Sequence, residues 1–459
     1  MALIEQHKSN KSRYVALFLP GFPGEYRERE LTNDLVKLGF DIYSVKYPGT
    51  YDAKGVFSPA SVTKSIKTSL NKLKQQNKPI LMITYSFSTY FVLDCLNSNS
   101  NFLGVIFFSP ILDLKLSISN DFLKHLTEYD TNKKFNIDYK GFSDFIASSS
   151  IDYLEKYKGK LKKVTKNRYP LIFAIGNDDK GIKVNMVKTF LNSYRKKHGF
   201  NKLFVMDIDN THHKLDSLYK NHHIYKFIAG IVFSNKVEEK YPDINIYTWG
   251  ALLNYKYSNE KSDIDMILID KEFSLSDYVF LNKLVNQFNS KFSVTVDIIV
   301  NTHKELQSKE RIRSNRGPSF IHELQYYYFP LLVNDKLKLS STTKKDIQKD
   351  ALRANYLNIY ISKKALLNYP PGSTASNWIM KIFIIGCYYH QYLLGNLYPD
   401  QNNIEDYYKK TDKLTYNQIL KIKEIKKNNY KGVTLGLLKK LVINHQKLFS
   451  SVKKFDRVV

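Results

Sequence analysis

Residues 78–96 read KPILMITYSFSTYFVLDCL, and this stretch predicts the fold of the first half of the chain. The apolar run over 79–84 has the length and composition of a buried strand, and the residues that follow have helical spacing. Ser86 lies at the junction between the two. A strand that turns directly into a helix is typical of a parallel sheet with crossover helices.

Apolar strands and amphipathic helices alternate on both sides of this stretch. The polar, irregular residues 114–166 interrupt the alternation and are predicted to form a lid above the sheet. We therefore expect an α/β fold over residues 1–235. The further strands are predicted within RYVALFLPGF (13–22), FDIYSVKYPGT (40–50), FLGVIFFSP (102–110), YPLIFAIGNDD (169–179) and KLFVMDIDNTHH (202–213).

A serine on a strand–helix turn projects its hydroxyl beside backbone amides that favour negative charge. Such a turn packs tightly, and the residues two positions before and after the serine are usually glycines. Here they are Thr84 and Ser88, which are small but carry side chains. A serine at this position alone is more often a helix cap, so its chemistry depends on its partners.

Candidate partners follow two later strands. Asp178 and Asp179 follow the strand predicted in 169–179, and His212 and His213 follow the last predicted strand, in 202–213. The order serine, aspartate, histidine at the ends of successive strands resembles the α/β-hydrolase family over about residues 13–233. Asp178 and His212 compete with their neighbours for the roles of acid and base.

The resemblance implies a serine-dependent hydrolase. Its implied residues are Ser86 as the nucleophile, Asp179 as the orienting acid and His213 as the base, with the backbone amides of Phe22 and Phe87 as the oxyanion hole.

A second pattern lies in TWGALLNYKYSNEKSDIDMILID (248–270), where Asp263 and Asp265 stand one residue apart in an apolar run. Residues i and i+2 of a strand share a face, so the two carboxylates are predicted to lie side by side. Two such carboxylates can share divalent cations. Asp297, in the apolar FSVTVDIIV (292–300), is a third candidate ligand. An isolated D-x-D pair is more often a pair of capping or surface aspartates.

Residues 236–335, approximately, resemble the polymerase-β-like nucleotidyltransferase superfamily. The resemblance rests on Gly250-Ala251, the loop through Ser262, the D-x-D pair and Asp297. The resemblance implies two Mg²⁺ ions, with Mn²⁺ as an alternative, and ATP or another nucleoside triphosphate as co-substrate. Ala251 stands where serine or glycine is usual, a loss for which Lys256 and Lys261 can compensate. The implied metal ligands are Asp263, Asp265 and Asp297, with Asp297 also catalytic, and the implied nucleotide-binding residues are Gly250, Ala251, Lys261 and Ser262.

After residue 343 the sequence shows only helical periodicity, similar in topology to the C-terminal helices of antibiotic adenylyltransferases. The fold class predicted for the chain is an α/β-hydrolase-like parallel sheet with a lid, then an α+β nucleotidyltransferase domain, then an all-α C-terminal helical bundle that binds the acceptor. The predicted domain boundaries are 1–235, 236–340 and 341–459.

The chain has 459 residues, a net charge of +27 and two cysteines, which give no disulfide framework and fit a cytoplasmic protein. A signal peptide and a membrane span are not expected. Residues 336–459 carry 23 basic and 8 acidic residues, whereas residues 236–335 carry 12 and 14. The basic tail is either compositional or a surface for anions such as nucleic acid.

These patterns predict a bifunctional enzyme. It would transfer a nucleotidyl group, AMP from ATP, to a small-molecule acceptor, and a serine-dependent hydrolase or acyltransferase would act on the same or another molecule. The alternative is a toxin-like nucleotidyltransferase that acts on RNA or protein and carries the hydrolase domain as an inactive platform. The sequence makes no prediction about the oligomeric state.

Overall fold

The computed structural model describes residues 2–8, 12–21, 29–92, 95–96, 101–112, 135–148, 169–180, 182, 184–198, 203–208, 223–253, 262–307, 318–326, 328–333, 341–368, 374–399, 404–428, 431–450 and 452. The chain forms two compact units. One comprises Met1–Thr302 with Tyr327–Leu337, and the other His303–Tyr326 with Lys338–Val459. This division joins the first two segments predicted from the sequence and adds His303–Tyr326 to the helical one.

The first unit contains a seven-stranded sheet with strand order β1-β3-β2-β4-β5-β6-β7. The edge strand β1 is antiparallel to β3, and all other neighbours are parallel. Central parallel strands are covered on both faces, which explains their uninterrupted apolar sequences. The strands are β1 (Ala2–His7), β2 (Tyr14–Leu19), β3 (Phe40–Lys46), β4 (Ile80–Tyr85), β5 (Phe102–Phe108), β6 (Leu171–Gly176) and β7 (Leu203–Ile208).

Helices cover the two faces of this sheet, as the alternating sequence predicted. Apolar residues at helical spacing bury α1 and α6 in the core on one face and α2, α3 and α4 in the core on the other. The α/β fold expected for the first half is confirmed. The helices are α1 (Arg29–Lys37), α2 (Pro59–Lys74), α3 (Ser88–Val92), α4 (Tyr139–Ser148), α5 (Val184–His198) and α6 (His223–Glu238).

The predicted lid, residues 114–166, is described over 135–148, and the rest of it lies outside the described residues. Phe135 forms a bridge with Thr50, and Ile137 forms one with Phe57. Helix α4 follows these bridges.

Helix α6 is buried on all sides, because it packs against both β5 of the first sheet and the second sheet of the same unit. A Cβ on Gly230 would lie 3.1 Å from Cε of Met266 in the second sheet, so glycine permits this close approach. The hydroxyl of Tyr225 donates to the carbonyl of Phe292 at 2.7 Å. A helix apolar around its whole circumference requires such cover on every side.

The second sheet has the order β10-β9-β8-β11, in which β8 is antiparallel to both neighbours and β10 is parallel to β9. A 3₁₀ turn at Gly250–Leu253 follows β8, and α7 crosses from β9 to β10. Ser274 and Asp277 form a capping box at the start of α7. The elements are β8 (Asn245–Trp249), β9 (Ile264–Asp270), α7 (Leu275–Phe292), β10 (Val296–Thr302) and β11 (Phe329–Leu332).

The described elements of the second unit are all helices, in agreement with the helical periodicity of the sequence. None of the helices in the described part of the chain is long and apolar enough to span a bilayer. The acceptor-binding role predicted for this unit stays a prediction. Its helices are α8 (His303–Gln307), α9 (Pro318–Tyr326), α10 (Lys344–Asn368), α11 (Thr374–Leu393), α12 (Ile404–Thr411), α13 (Lys413–Lys427) and α14 (Leu435–Ser450).

Candidate active sites

Ser86 occupies the turn between β4 and α3 with a φ of 47°, in the left-handed region that serine rarely adopts. Its amide donates to the carbonyl of Phe108 at 2.8 Å, which holds the strained turn against the end of β5. The side chain is half-buried. A strained serine that links a strand to a helix is the geometry that presents a nucleophilic hydroxyl at the edge of an α/β sheet.

Gly21 lies directly against this serine. A Cβ at position 21 would lie 3.2 Å from Cβ of Ser86, so this approach leaves little room for a side chain. Gly21 belongs to the Pro-Gly loop after β2 that the sequence placed at the oxyanion hole. The next residue, Phe22, lies outside the described residues, and its predicted amide contact stays a prediction.

Ser88 explains why the second usual glycine of the turn is absent here. Its buried hydroxyl donates a short hydrogen bond to the carbonyl of Pro20. The hydroxyl of Tyr47 lies 2.7 Å from Oγ of Ser88. A carbonyl can only accept, so Ser88 donates to Pro20 and Tyr47 donates to Ser88. The departure from glycine thus ties the turn of Ser86 to the loop that carries Gly21.

The residue that follows Ser86 belongs to a buried aromatic cluster. Phe87 is buried and packs against Phe57, Phe91 and Phe142, with ring centroids 5.9, 4.8 and 5.7 Å away. Phe142 comes from α4, the described part of the lid. The oxyanion role predicted for the amide of Phe87 stays a prediction. These four buried rings pack the residue after Ser86 into the core together with α4.

Burial distinguishes the two candidate acids after β6. Asp179 is 5% exposed, whereas Asp178 is exposed. The amide of Asp179 donates to the carbonyl of Gly176 at 3.3 Å in the turn that ends the strand. A carboxylate that orients a histidine is normally buried, which favours Asp179. His212 and His213 follow β7 outside the described residues, and the choice between them stays open.

The second site is built on the β9–β10 pair. Asp265 and Asp297 are directly paired in the parallel register, so their side chains lie on the same face of adjacent strands. Gly250 has a φ of 73°, and a Cβ there would collide with the carboxylate of Asp265. Both the backbone conformation and the contact therefore require glycine at this position.

Asp263 is exposed just before β9. The carbonyl of its neighbour Ser262 accepts a hydrogen bond of 2.7 Å from Nζ of Lys226, a side chain of α6 that is 3% exposed. The hydroxyl of Thr248 donates to the carbonyl of Asp265 at 2.7 Å. Lys226 was not predicted from the sequence, because it lies 36 residues from Ser262, whose carbonyl it contacts.

The carboxylate oxygens of Asp263, Asp265 and Asp297 are ligands that Mg²⁺ prefers. The glycine beside Asp265 leaves space that a side chain would fill. Among the described residues, however, no three His, Cys, Asp or Glu side chains are gathered in a metal-binding cluster. Ala251 lies in the 3₁₀ turn, and Lys256 and Lys261 lie outside the described residues. The predicted metal and nucleotide contacts stay predictions.

No family model matches the chain, and no curated protein matches it. A solved structure of a monoacylglycerol lipase from Paleococcus ferrophilus is similar, with 16% identity and a TM-score of 0.36, over 50% of this chain and 99% of that chain. An esterase of Pyrococcus furiosus shows 15% identity and a TM-score of 0.34, over 49% of this chain and 83% of that chain.

The class of the first half follows from its own geometry. The strand order, the antiparallel edge strand and the left-handed serine after β4 define an α/β-hydrolase-like domain. A fold of this class hosts many chemistries, so the reaction has to be argued from Ser86 and its neighbours.

Proposed function

We propose that the first half is a serine-dependent hydrolase or acyltransferase. The observation that carries the proposal is the positive φ of Ser86 on the β4–α3 turn, with Gly21 packed against it. The cost of such a conformation is of the order of 1–3 kcal/mol, and it is retained where it positions a reactive group.

In this mechanism Oγ of Ser86 attacks the acyl carbonyl, and its proton passes to the histidine base, for which His213 is the prediction. The carbonyl oxygen becomes an oxyanion, which backbone amides at the Gly21 loop and at Phe87 would stabilise. The leaving alcohol, thiol or amine takes the proton from the base. Water or a second acceptor then attacks the acyl-serine and restores the hydroxyl. Asp179 orients the histidine.

A fluorophosphonate probe tests this proposal, because it labels only activated serines. We expect labelling of the native protein and its loss in Ser86→Ala. Ser293→Ala is the matched control, since Ser293 is also left-handed but caps the C-terminus of α7. Equal labelling of Ser86→Ala and native protein would contradict the assignment and favour an inactive platform. Comparison of His212→Ala with His213→Ala identifies the base.

We propose as a second activity a Mg²⁺-dependent nucleotidyl transfer in the second half. The direct pairing of Asp265 with Asp297, with Gly250 against the carboxylate of Asp265, supports it. The paired carboxylates would hold the metal, which when bound would neutralise triphosphate oxygens and polarise the attacking group, and Asp263 stays the predicted third ligand. An acceptor hydroxyl would attack the α-phosphorus of ATP, form the nucleotidyl ester and release pyrophosphate.

Incubation of cell extract with the protein, Mg²⁺ and ATP labelled on the α-phosphate shows which acceptor receives the label. We expect the label on a small molecule with the native protein, and no labelled product with Asp265→Asn. Label on RNA or on protein would support the toxin-like alternative. No transfer to any fraction, with ATP binding also absent, would contradict a nucleotidyltransferase.

A further inference from the structure

A single line of four side chains crosses the second sheet. Asp297 pairs with Asp265, and Asp265 pairs with Trp249 on the neighbouring antiparallel strand. On the far side of β8, Phe329 pairs with Thr248, so the preceding Tyr328 continues the register opposite Trp249. Directly paired residues present their side chains on the same face of a sheet. Two carboxylates and two aromatic rings therefore follow one another on one face.

The two rings form a stacked pair. The centroids of Trp249 and Tyr328 lie 5.5 Å apart with an interplanar angle of 24°. Both side chains are half-buried, as is Asp265, so the rings and the carboxylate are partly open to solvent on this face. The opposite face carries Ile264, Met266 and Leu268, which pack into the core around α6. The line thus lies on the side of the sheet that α6 does not cover.

The spacing along the line matches the parts of a nucleotide. Neighbouring strands lie ~5 Å apart, so the ring of Tyr328 projects from a strand about 10 Å from the one that carries Asp265. Gly250, directly after Trp249, lies against the carboxylate of Asp265 and places no side chain there. A ligand whose phosphates lie at the carboxylates would extend along the line and place a planar ring at the aromatic pair.

We propose that Trp249 and Tyr328 form the binding surface for the base of the nucleoside triphosphate, which stacks on the exposed part of the aromatic pair. The inference rests on the proposed nucleotidyl transfer. Every base has a π-face, so a stacking surface of this kind favours nucleotides over ring-free polyphosphates without selecting one base. Selection of ATP over other triphosphates would then come from contacts other than this pair.

The chain contains only two tryptophans, Trp249 and Trp378, which makes a direct test possible. Trp378→Phe leaves Trp249 as the sole indole fluorophore, and Trp249→Phe leaves Trp378 as the matched control. Each variant is titrated with MgATP and with Mg-tripolyphosphate, which has the phosphates but no ring. We expect MgATP to quench the emission of Trp249 and leave that of Trp378 unchanged, and Mg-tripolyphosphate to quench neither.

Calorimetry with MgATP on alanine variants gives an independent readout. Stacking of one base predicts that Trp249→Ala and Tyr328→Ala each raise the Kd about tenfold, whereas Tyr328→Phe keeps the ring and the affinity. Tyr278→Ala, which removes an exposed tyrosine of α7, should leave the Kd unchanged. Thermal melts identify any variant that fails to fold.

Different results would contradict the stacking surface and the nucleotidyl transfer. If the native protein binds MgATP, but Trp249 is not quenched and the alanine variants bind normally, the stacking surface is wrong and nucleotidyl transfer stands. If the native protein binds neither MgATP nor another nucleoside triphosphate, the nucleotidyl transfer proposal itself is overturned. If Mg-tripolyphosphate quenches Trp249 as strongly as MgATP does, the signal comes from the phosphates and the stacking inference is overturned.

Discussion

The hydroxyl groups of Tyr47 and Ser88 lie 2.7 Å apart in a buried chain of hydrogen bonds that ends on the carbonyl of Pro20. Burial raises the pKa of Tyr47 above its usual value, so this phenol remains a donor throughout the working pH range. The chain connects β3 to the turn of Ser86 and to the loop of Gly21. It thereby fixes the two segments that would stabilise an oxyanion.

We predict that Ser88→Gly, which introduces the usual residue of the turn, lowers kcat for a model ester about tenfold or more with little change in KM. Tyr47→Phe should lower kcat less, because Ser88 still donates to Pro20. Steady-state kinetics show whether Ser88→Gly lowers kcat more than Tyr47→Phe does, and the melting temperatures show whether either variant is destabilised. A fall in stability without a change in kcat would assign Ser88 a purely structural role.

Gly250→Ala is predicted to abolish nucleotide transfer and to destabilise the first unit. The new Cβ would meet the carboxylate of Asp265, and the left-handed backbone adds about 1–2 kcal/mol of strain. Gly39→Ala is the control, because Gly39 also has a positive φ, while a Cβ there meets nothing within 4 Å. Equal loss of stability and of transfer in both variants would show that strain alone is responsible. Thermal melts and the labelled-ATP assay separate the two effects.

Replacement of the paired carboxylates should stop the reaction without unfolding the protein. Asp265→Asn and Asp297→Asn each remove a candidate metal ligand, which we expect to slow transfer about a thousandfold. Loss of one of two neighbouring negative charges relieves repulsion, so stability should be kept or increased. Asp270→Asn, at the other end of β9, is the control. Near-normal transfer in either active-site variant, or transfer in the presence of EDTA, would count against the metal site.

Acid should destabilise the helical unit through two buried histidines. Burial lowers the pKa of His390 and His445 to about 4, below the usual value of about 6.5 in the unfolded chain. Between about pH 4 and pH 6.5 the unfolded chain binds more protons at these histidines than the folded protein does. Their contribution to the free energy of unfolding is therefore fully present above about pH 6.5 and is lost as the pH falls towards 4. Each histidine contributes on the order of 3 kcal/mol.

Urea unfolding followed by circular dichroism from pH 8 to pH 4 measures this loss. His223, in the first unit, has a pKa lowered in the same direction by burial, so the first unit should also weaken. The variant His390→Gln with His445→Gln should flatten the pH dependence of the helical transition and leave that of the first unit in place. An unchanged slope would mean that other groups set the acid sensitivity.

The basic tail should contribute little to acceptor binding if the acceptor is small. Binding of single-stranded RNA weakens with salt, with a slope of about −0.7 per phosphate neutralised. Gel-shift and filter-binding titrations of the native protein with RNA and single-stranded DNA at increasing salt test the tail directly. Micromolar or tighter binding that survives physiological salt would instead favour a nucleic-acid acceptor.

The place of Ser86 was predictable, because a strand, a turn and a helix are consecutive in the sequence and leave a local pattern. The role of Ser88 was not predictable, since its partners Pro20 and Tyr47 lie 68 and 41 residues away. The edge strand β1 was also missed, because a short strand paired on one side needs no continuous apolar run.

At the second site, too, local patterns could be predicted from the sequence and contacts between distant segments could not. Asp263, Asp265 and Gly250 form a local pattern, so their proximity could be predicted from the sequence. The stacking of Trp249 on Tyr328 depends on β11 pairing with β8, and no pattern in the sequence sets that register.

Helix α6 packs against both the first and the second sheet and belongs to a single hydrophobic core with both. A gene fragment that ends after the helix would expose the side of α6 that meets Met266 and Leu331, and a fragment that starts after it would leave the second sheet uncovered. Neither fragment would be soluble on its own. Both sheets should melt in a single cooperative transition, so the two candidate sites would form and be lost together.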